Sequence, residues 1–163
     1  KTDGGLTGKS GADFIRGNAP FIPFGAVIAG AIIKSESFQT VIIKSGEVQN
    51  RVRSGDLICN GSSETPEELA MCSIVESELD DLYLNSFCFG FRVFHEAKID
   101  GHFMTYLIRS SSGRVRFSEL AQGSTRYNIS KKAFKDVEIK LPPIKEQQAI
   151  AEAIKSCDSA IEE

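Results

Sequence analysis

Apolar residues occur in short, separated groups along the first part of the chain, a pattern typical of β-strands. Residues 21–33 and 41–43 are rich in β-branched and aromatic residues and are bounded by Gly and Ser. Residues 57–59 form a short apolar group that predicts a buried strand. Residues 82–94 (LYLNSFCFGFRVF) give the strongest strand signal and predict one long strand bent around Gly90. The first part of the chain is therefore predicted to be rich in β-structure.

Helical spacing appears in the next part of the chain. The apolar residues of 101–110 fall on one helical face and predict a helix, and a second helix is predicted over residues 115–122. Residues 137–141 alternate between apolar and charged side chains, which predicts a final strand. The proline doublet at 142–143 then ends this part of the chain.

The last segment, residues 144–163, predicts a helix of about 20 residues with a narrow apolar stripe. The stripe is spaced four, three and four residues apart and consists of Ile150, Ile154, Cys157 and Ile161. So narrow a stripe favours contact with another helix, and the alternative is a helix packed on its own sheet. We therefore predict two units, a domain over residues 1–143 and the start of a coiled-coil-type helix over residues 144–163.

The composition is that of a soluble globular protein, with 41% hydrophobic and 25% charged residues in 163 positions. The longest apolar run has eight residues and is too short to span a membrane, which needs about 20. Four scattered cysteines without a C-x-x-C motif predict free thiols in a reducing cytoplasm. The two histidines lack zinc-ligand spacing with them, so no metal site is expected.

Catalytic and nucleotide-binding motifs find no support in the chain. Residues 4–10 (GGLTGKS) resemble a phosphate loop, but the motif needs glycine at position 3, which is Asp3. No G-x-S-x-G is present, and the two histidines suggest no catalytic triad. We therefore expect a protein without catalysis and without a cofactor.

The net charge of −3 conceals two segments of opposite charge. Residues 103–135 contain seven basic residues and one acidic residue, whereas residues 64–81 contain seven acidic residues and no Lys or Arg. A local basic cluster is what phosphate neutralisation requires, although two solvated faces would give the same pattern.

Residues 122–130 (QGSTRYNIS) carry the best candidates for contact with DNA. Their hydroxyl and amide groups suit phosphates or base edges, and the guanidinium of Arg126 suits guanine O6 and N7 or a phosphate. The alternative is a helix end followed by a helix cap at Ser130. We expect loops 7–16 and 60–65 to lie on the same side of the domain as residues 124–128. The candidate DNA-contacting residues are Lys9, Ser10, Arg16, Asn60, Ser62, Ser63, Arg109, Arg114, Arg116, Ser124, Thr125, Arg126 and Asn128.

Residues 123–161 resemble the C-terminal signature of target-recognition domains in the specificity subunits of type I restriction–modification systems. The signature comprises a G-S/T-x-R-x-N-I-S turn, a short helix (131–134), a strand, a Leu-Pro-Pro, and an E-Q-x-x-I-A that opens a long helix. Further segments resemble the family in the same order, and they are residues 5–27, 55–58, 85–92 and 103–110. Because the segments keep their order over nearly the whole chain, the resemblance is specific.

The resemblance implies a mixed α/β fold, with a strongly curved, mostly antiparallel sheet, a few helices and a long C-terminal helix. In the family two such domains, separated by antiparallel helices, each recognise one half of a bipartite double-stranded DNA site. Those helices dock methyltransferase subunits, and the complex recruits the restriction endonuclease subunit. One domain and one helix imply a fragment, or a half-length subunit that pairs with itself. A recognition domain of a fused methyltransferase–nuclease and a helix-mediated protein-interaction module remain alternatives.

Overall fold

The computed structural model of the protein describes residues 2–162, apart from the side chains of Thr2, His95, Ile161 and Glu162. The strands of this part are β1 Thr2–Gly4, β2 Ala19–Ile22, β3 Ile32–Ile33, β4 Gln39–Val41, β5 Leu57–Asn60, β6 Ser62–Ser63, β7 Cys72–Val75, β8 Tyr83–Leu84, β9 Cys88–Phe91 and β10 Tyr127–Asn128. The α-helices are α1 Phe24–Ala29, α2 Gly101–Arg109, α3 Ser111–Ser118, α4 Lys131–Lys135 and α5 Ile144–Glu162. Of these helices, none is long and apolar enough to cross a membrane.

The strands form three sheets. The largest has the order β1-β9-β5-β7-β3, in which β3 and β7 are parallel and the other neighbours are antiparallel. A three-stranded sheet has the order β4-β2-β8, with β2 and β8 parallel. The two-stranded ribbon pairs β6 with β10. The mixed fold with antiparallel pairing and few helices is therefore confirmed, and its strands are divided among three sheets.

The central strand β5 is buried on both faces and separates the two main parts of the core. Leu57 and Cys59 point into a cluster with α2, α3 and α4, where Phe134 stacks on Phe117. Ile58 points to the other face and packs with residues of α1, β3 and β8. Because side chains alternate along a strand, four consecutive buried residues require cover on both sides. Helices α2, α3 and α4 therefore lie on one face of β5, and α1 lies on the other face together with the three-stranded sheet.

One helix lies where the pattern predicts β-structure. Within residues 21–33, α1 begins directly after Pro23 and ends at Ala29, which is followed by Gly30. Its six residues are too few to be stable alone, and their carbonyls need partners at the C-terminal end. Ser73 and Arg109 donate hydrogen bonds to the carbonyl of Val27, Ser73 at 2.5 Å and Arg109 at 2.7 Å. The helix is thus stabilised by residues far away in the sequence.

The predicted strand over residues 82–94 is two strands in different sheets. Asn85 separates β8 from β9, since its side chain accepts a hydrogen bond from the N–H of Phe87 and donates one to the carbonyl of Ile22. The prediction of a single bent strand is therefore wrong, because a buried amide turns the chain five residues before Gly90.

Two further predictions differ in detail. The second helix covers Ser111–Ser118 instead of residues 115–122, because Ser110 caps it by accepting a hydrogen bond from the N–H of Gly113. Residues 137–141 belong to no helix and pair with no strand of the described chain. Their apolar side chains pack against the core. Apolar and charged residues alternate in this segment because one side of it packs on the core, although the segment forms no strand.

Candidate nucleic-acid interface

A ribbon of polar residues forms at one end of the large sheet. In it Ser63 pairs with Tyr127 and Ser62 with Asn128, so that two loops distant in the sequence lie side by side. The N–H of Ile129 also donates to the carbonyl of Gly61. Residues 62–63 and 127–128 therefore lie side by side, which agrees with the prediction for loops 60–65 and 124–128. That loop 7–16 shares this side of the domain stays a prediction.

The segment before β10 is a tight turn. The backbone groups of Gln122 and Asn128 bond to each other in both directions, at 3.0 and 2.8 Å. Gly123 has a φ of 122°, and a Cβ there would lie 2.2 Å from the carbonyl oxygen of Arg126. Only glycine fits this position. Ser124, Thr125 and Arg126 are consequently held at an exposed tip.

Arg126 is exposed, and its guanidinium carbon lies 5.7 Å from the centroid of the Phe87 ring, which is itself 54% exposed. This is the geometry of a cation–π contact, which orients the guanidinium and leaves its N–H groups free. The two side chains line a groove of roughly 390 Å³ together with Phe24, Ser62, Ser63, Glu64 and Glu68. Within the described residues, Arg126 has no acidic partner at ion-pair distance.

Asn60 and Ser63 shape the loop and do not face solvent. Asn60 is fully buried, and its side-chain nitrogen donates to the carbonyls of Ser62 at 3.2 Å and Glu68 at 2.9 Å. Ser63 is 6% exposed, and its hydroxyl accepts from the N–H of Thr65 and donates to the Glu68 carboxylate. Asn60 and Ser63 were expected to contact DNA, and in this structure their buried side chains instead support the loop.

Arg109 is also a structural residue. Its guanidinium donates to the carbonyl of Cys72 at 2.6 Å and to those of Val27 and Ile28 at 2.7 and 3.2 Å. Burial lowers the pKa of Arg109, although an arginine stays protonated. These bonds join α2, β7 and the end of α1, so the expected DNA contact is replaced by an internal one.

Arg114 and Arg116 donate to backbone carbonyls as well. Arg114 bonds to the carbonyls of Glu67, Leu69 and Ala70 and thereby holds the loop before β7, and burial lowers its pKa. Arg116 is exposed and bonds to the carbonyl of Glu138. Arg114 therefore makes internal hydrogen bonds in place of the expected DNA contact, and Arg116 is available to DNA only if it leaves that carbonyl.

The first loop is anchored to the residues after β4. Lys9 donates to the carbonyl of Ile42 at 2.6 Å and forms an ion pair with Glu47, and only 6% of its side chain is exposed. Ser10 bonds to Asp13 through its hydroxyl at 2.9 Å. Lys9 was expected to contact DNA, but in this structure its ammonium group is occupied by Ile42 and Glu47. Arg16 is exposed in the same loop.

Helix α5 packs on the domain through one buried amide. The side-chain oxygen Oε1 of Gln147 accepts from the main-chain N–H of Asp100, and its side-chain nitrogen Nε2 donates to the carbonyls of Lys98 and Pro142. One turn later Ala151 is buried, and farther along Lys155 pairs with Glu76 at 2.6 Å. The attached face of α5 is thus the face that carries Gln147.

The predicted apolar stripe of α5 lies beside this attached face. Ile150 is 37% exposed, Cys157 is exposed and Ile154 is half-buried. The side chain of Ile161 lies outside the described residues. An apolar stripe of the described helix thus remains in contact with solvent.

The ribbon and α5 lie at opposite ends of the large sheet. At one end, next to the ribbon, Cys59 of β5 lies opposite Cys72 of β7, and Asn60 of β5 lies opposite Cys88 of β9. At the other end β7 leads into Glu76, which pairs with Lys155 of α5. The strand direction therefore separates the polar groove from the helix.

The side chains of Cys59, Cys72 and Cys88 are buried in the core. Burial raises the pKa of Cys88 to about 12 and that of Cys59 well above its usual value. Among the described residues, no three His, Cys, Asp or Glu side chains are grouped as a metal site requires. These thiols fill the core.

The domain has a mixed fold with few helices, as the motifs imply, and it carries an exposed polar ribbon and a terminal helix. The model of the type I restriction modification DNA specificity domain matches residues 25–163, and the chain belongs to this family. The MjaVIII type I restriction enzyme specificity subunit of Methanocaldococcus jannaschii is 36% identical over 70 residues, 43% of this chain and 16% of that protein. The family predicted from the sequence is therefore confirmed.

Two solved structures share the fold over 99% of this chain. One is the S subunit of a type I restriction–modification system from M. genitalium, with a TM-score of 0.64 and 16% identity. The other is the HsdS subunit from Thermoanaerobacter tengcongensis, with a TM-score of 0.61 and 16% identity. The chain spans 37% and 35% of their lengths.

Proposed function

We propose that this chain recognises one half of a bipartite DNA sequence, as a recognition domain of a type I specificity subunit. The observation that carries the proposal is the exposed guanidinium of Arg126, oriented by Phe87 and left without an acidic partner in the described chain. Arginine in this state is the residue best suited to guanine O6 and N7. Membership of the family supports the same function.

The ribbon supports the proposed function by its type of structure. A two-stranded β-ribbon fits the major groove of B-DNA, which is about 12 Å wide. β6 and β10 would enter there, with Ser62, Asn128 and Arg126 directed at the base edges. The exposed hydroxyls of Ser124 and Thr125 would bond to phosphates and fix the register.

The opposite end of the molecule supports a proposal for the partners. The stripe of Ile150, Ile154 and Cys157 would pair with a second helix, from another copy or from a second recognition domain. Methyltransferase subunits would bind these helices, and the endonuclease subunit would join the assembled complex. The chain itself would direct these enzymes to a site in the cytoplasm and catalyse nothing.

The test compares two exposed arginines at opposite ends of β5. Sequences selected from a randomised duplex library give the cognate DNA, and fluorescence anisotropy at fixed salt gives its affinity. Arg126→Ala should weaken binding to the cognate duplex by about 1–3 kcal/mol, which is more than the loss of one positive charge alone costs on a scrambled duplex. Arg53→Ala, at the far end of the strand, serves as the control.

Equal losses for Arg126→Ala and Arg53→Ala on both duplexes would contradict a specific contact. Selection that enriches no sequence, together with dimers that form through α5, would instead favour a protein-interaction module.

A further inference from the structure

The groove beside the ribbon is lined by one cationic side chain and by two carboxylates that form no ion pair with it. Arg126, Glu64 and Glu68 all line it, yet none of the ion pairs of the described residues joins Arg126 to either glutamate. Opposite charges that share a groove of roughly 390 Å³ would gain energy by pairing. The groove therefore presents a donor and an acceptor separately to whatever enters it.

Glu68 is the better fixed of the two carboxylates. The hydroxyl of Ser63 donates to its Oε2 at 3.3 Å, and the buried amide of Asn60 holds its main-chain carbonyl at 2.9 Å. Arg114 binds the carbonyls on either side of it, those of Glu67 and Leu69. A recognition group must be held in position before the ligand arrives. Glu64 has no hydrogen bond among the described residues and lacks this support.

A carboxylate that faces DNA must find a hydrogen-bond donor, because the phosphates repel it. In the major groove the donors are the exocyclic amino groups, N4 of cytosine and N6 of adenine. A base edge that offers carbonyl or ring-nitrogen acceptors instead leaves the carboxylate desolvated and unpaired. Such a residue selects a base mainly by penalising the wrong ones.

We propose that Glu68 is a specificity-determining residue that accepts a hydrogen bond from an exocyclic amino group, beside the guanine that Arg126 contacts. The proposal rests on the proposed function and names the base-edge chemistry of the same groove. A G·C pair satisfies both residues at once, since guanine offers acceptors and cytosine offers the amino group. An adenine in a neighbouring pair offers the amino group equally well.

The experiment repeats the library selection with three single substitutions of the protein. Glu68→Gln keeps the volume and an oxygen for the Ser63 hydroxyl, but its amide both donates and accepts. Glu67→Gln removes the same charge from the same loop at an exposed position outside the groove. Glu64→Gln removes the other carboxylate of the groove. Far-ultraviolet circular dichroism establishes that each variant is folded.

We expect Glu68→Gln to reduce the preference for an amino-bearing base at one position by about tenfold. Affinity for scrambled DNA should rise similarly for all three variants, because each removes one negative charge. The base whose preference is lost distinguishes cytosine from adenine.

Two outcomes would overturn the inference and leave the proposed function intact: a Glu68→Gln profile equal to that of Glu67→Gln, or loss of the preference in Glu64→Gln alone. Wild-type protein that selects no sequence would overturn both the inference and the proposed function.

Discussion

Identical side chains have opposite roles in this domain, according to what surrounds them. Arg109 and Arg126 both belong to the basic part of the sequence, yet Arg109 is bonded to internal carbonyls and Arg126 is free at an exposed tip. Charge along the chain therefore predicted where cations are concentrated but not which of them are exposed. The exposed tip was predictable, because Gly123 and the polar residues after it indicate a turn.

At the residue scale, Asn60 offers a test of a supporting role. Asn60→Ala removes two hydrogen bonds of a buried side chain, so we expect the free energy of unfolding to fall by about 1–3 kcal/mol in urea titrations. Binding to cognate DNA should weaken as well, because the loop with Ser62 and Glu68 loses its anchor. Ser62→Ala, which keeps the anchor, should leave the unfolding free energy almost unchanged. Lost DNA binding with unchanged stability in Asn60→Ala would show instead that Asn60 acts on DNA directly.

At the scale of elements, sequence patterns predicted the helices whose apolar faces and caps lie within or next to the helix. Helix α2 is predicted from its own apolar face and begins at the cap of Asp100, and the short helix α4 begins at the cap of Ser130. Helix α1 could not be predicted, because its last carbonyls are satisfied by Arg109 and Ser73, far away in the sequence. The groove was not predicted for the same reason, because Phe87 and Glu68 are far apart in the sequence and line the same groove only in the folded protein.

The anchored first loop gives a prediction about pH. The ion pair with Lys9 holds the pKa of Glu47 at about 2, below its value of 4.5 in the unfolded chain. A lowered folded-state pKa stabilises the protein above pH 4.5, and this contribution is lost as the pH falls from 4.5 towards 2. Glu47→Gln should therefore lower the urea midpoint at pH 7 and flatten its decline in acid. Glu36→Gln, at an exposed position, is the control. An unchanged acid profile for Glu47→Gln would contradict the ion pair.

At the scale of the whole molecule, the two ends of the large sheet should be separable by mutation. Ile150→Glu places a charge in the exposed stripe of α5 and should prevent helix pairing, measured by sedimentation, without changing the selected DNA sequence. Arg126→Ala should do the reverse. Ala149→Glu adds the same charge on the face of α5 away from Gln147 and should affect neither property. A change of sequence preference in Ile150→Glu would mean that the two ends are coupled.

The pairing of β6 with β10 also affects when the ribbon forms during synthesis and folding. The two strands are about 65 residues apart in the sequence, so their pairing is a non-local contact that closes a long loop. At about 5–20 residues per second on the ribosome, β6 waits several seconds for its partner after it has been made. Pulse-labelled hydrogen exchange during refolding should accordingly protect the amides of β5 before that of Ile129, which bonds across to Gly61. A nascent chain could thus pair β5 with β7 and β9 before it forms the ribbon that is proposed to recognise DNA.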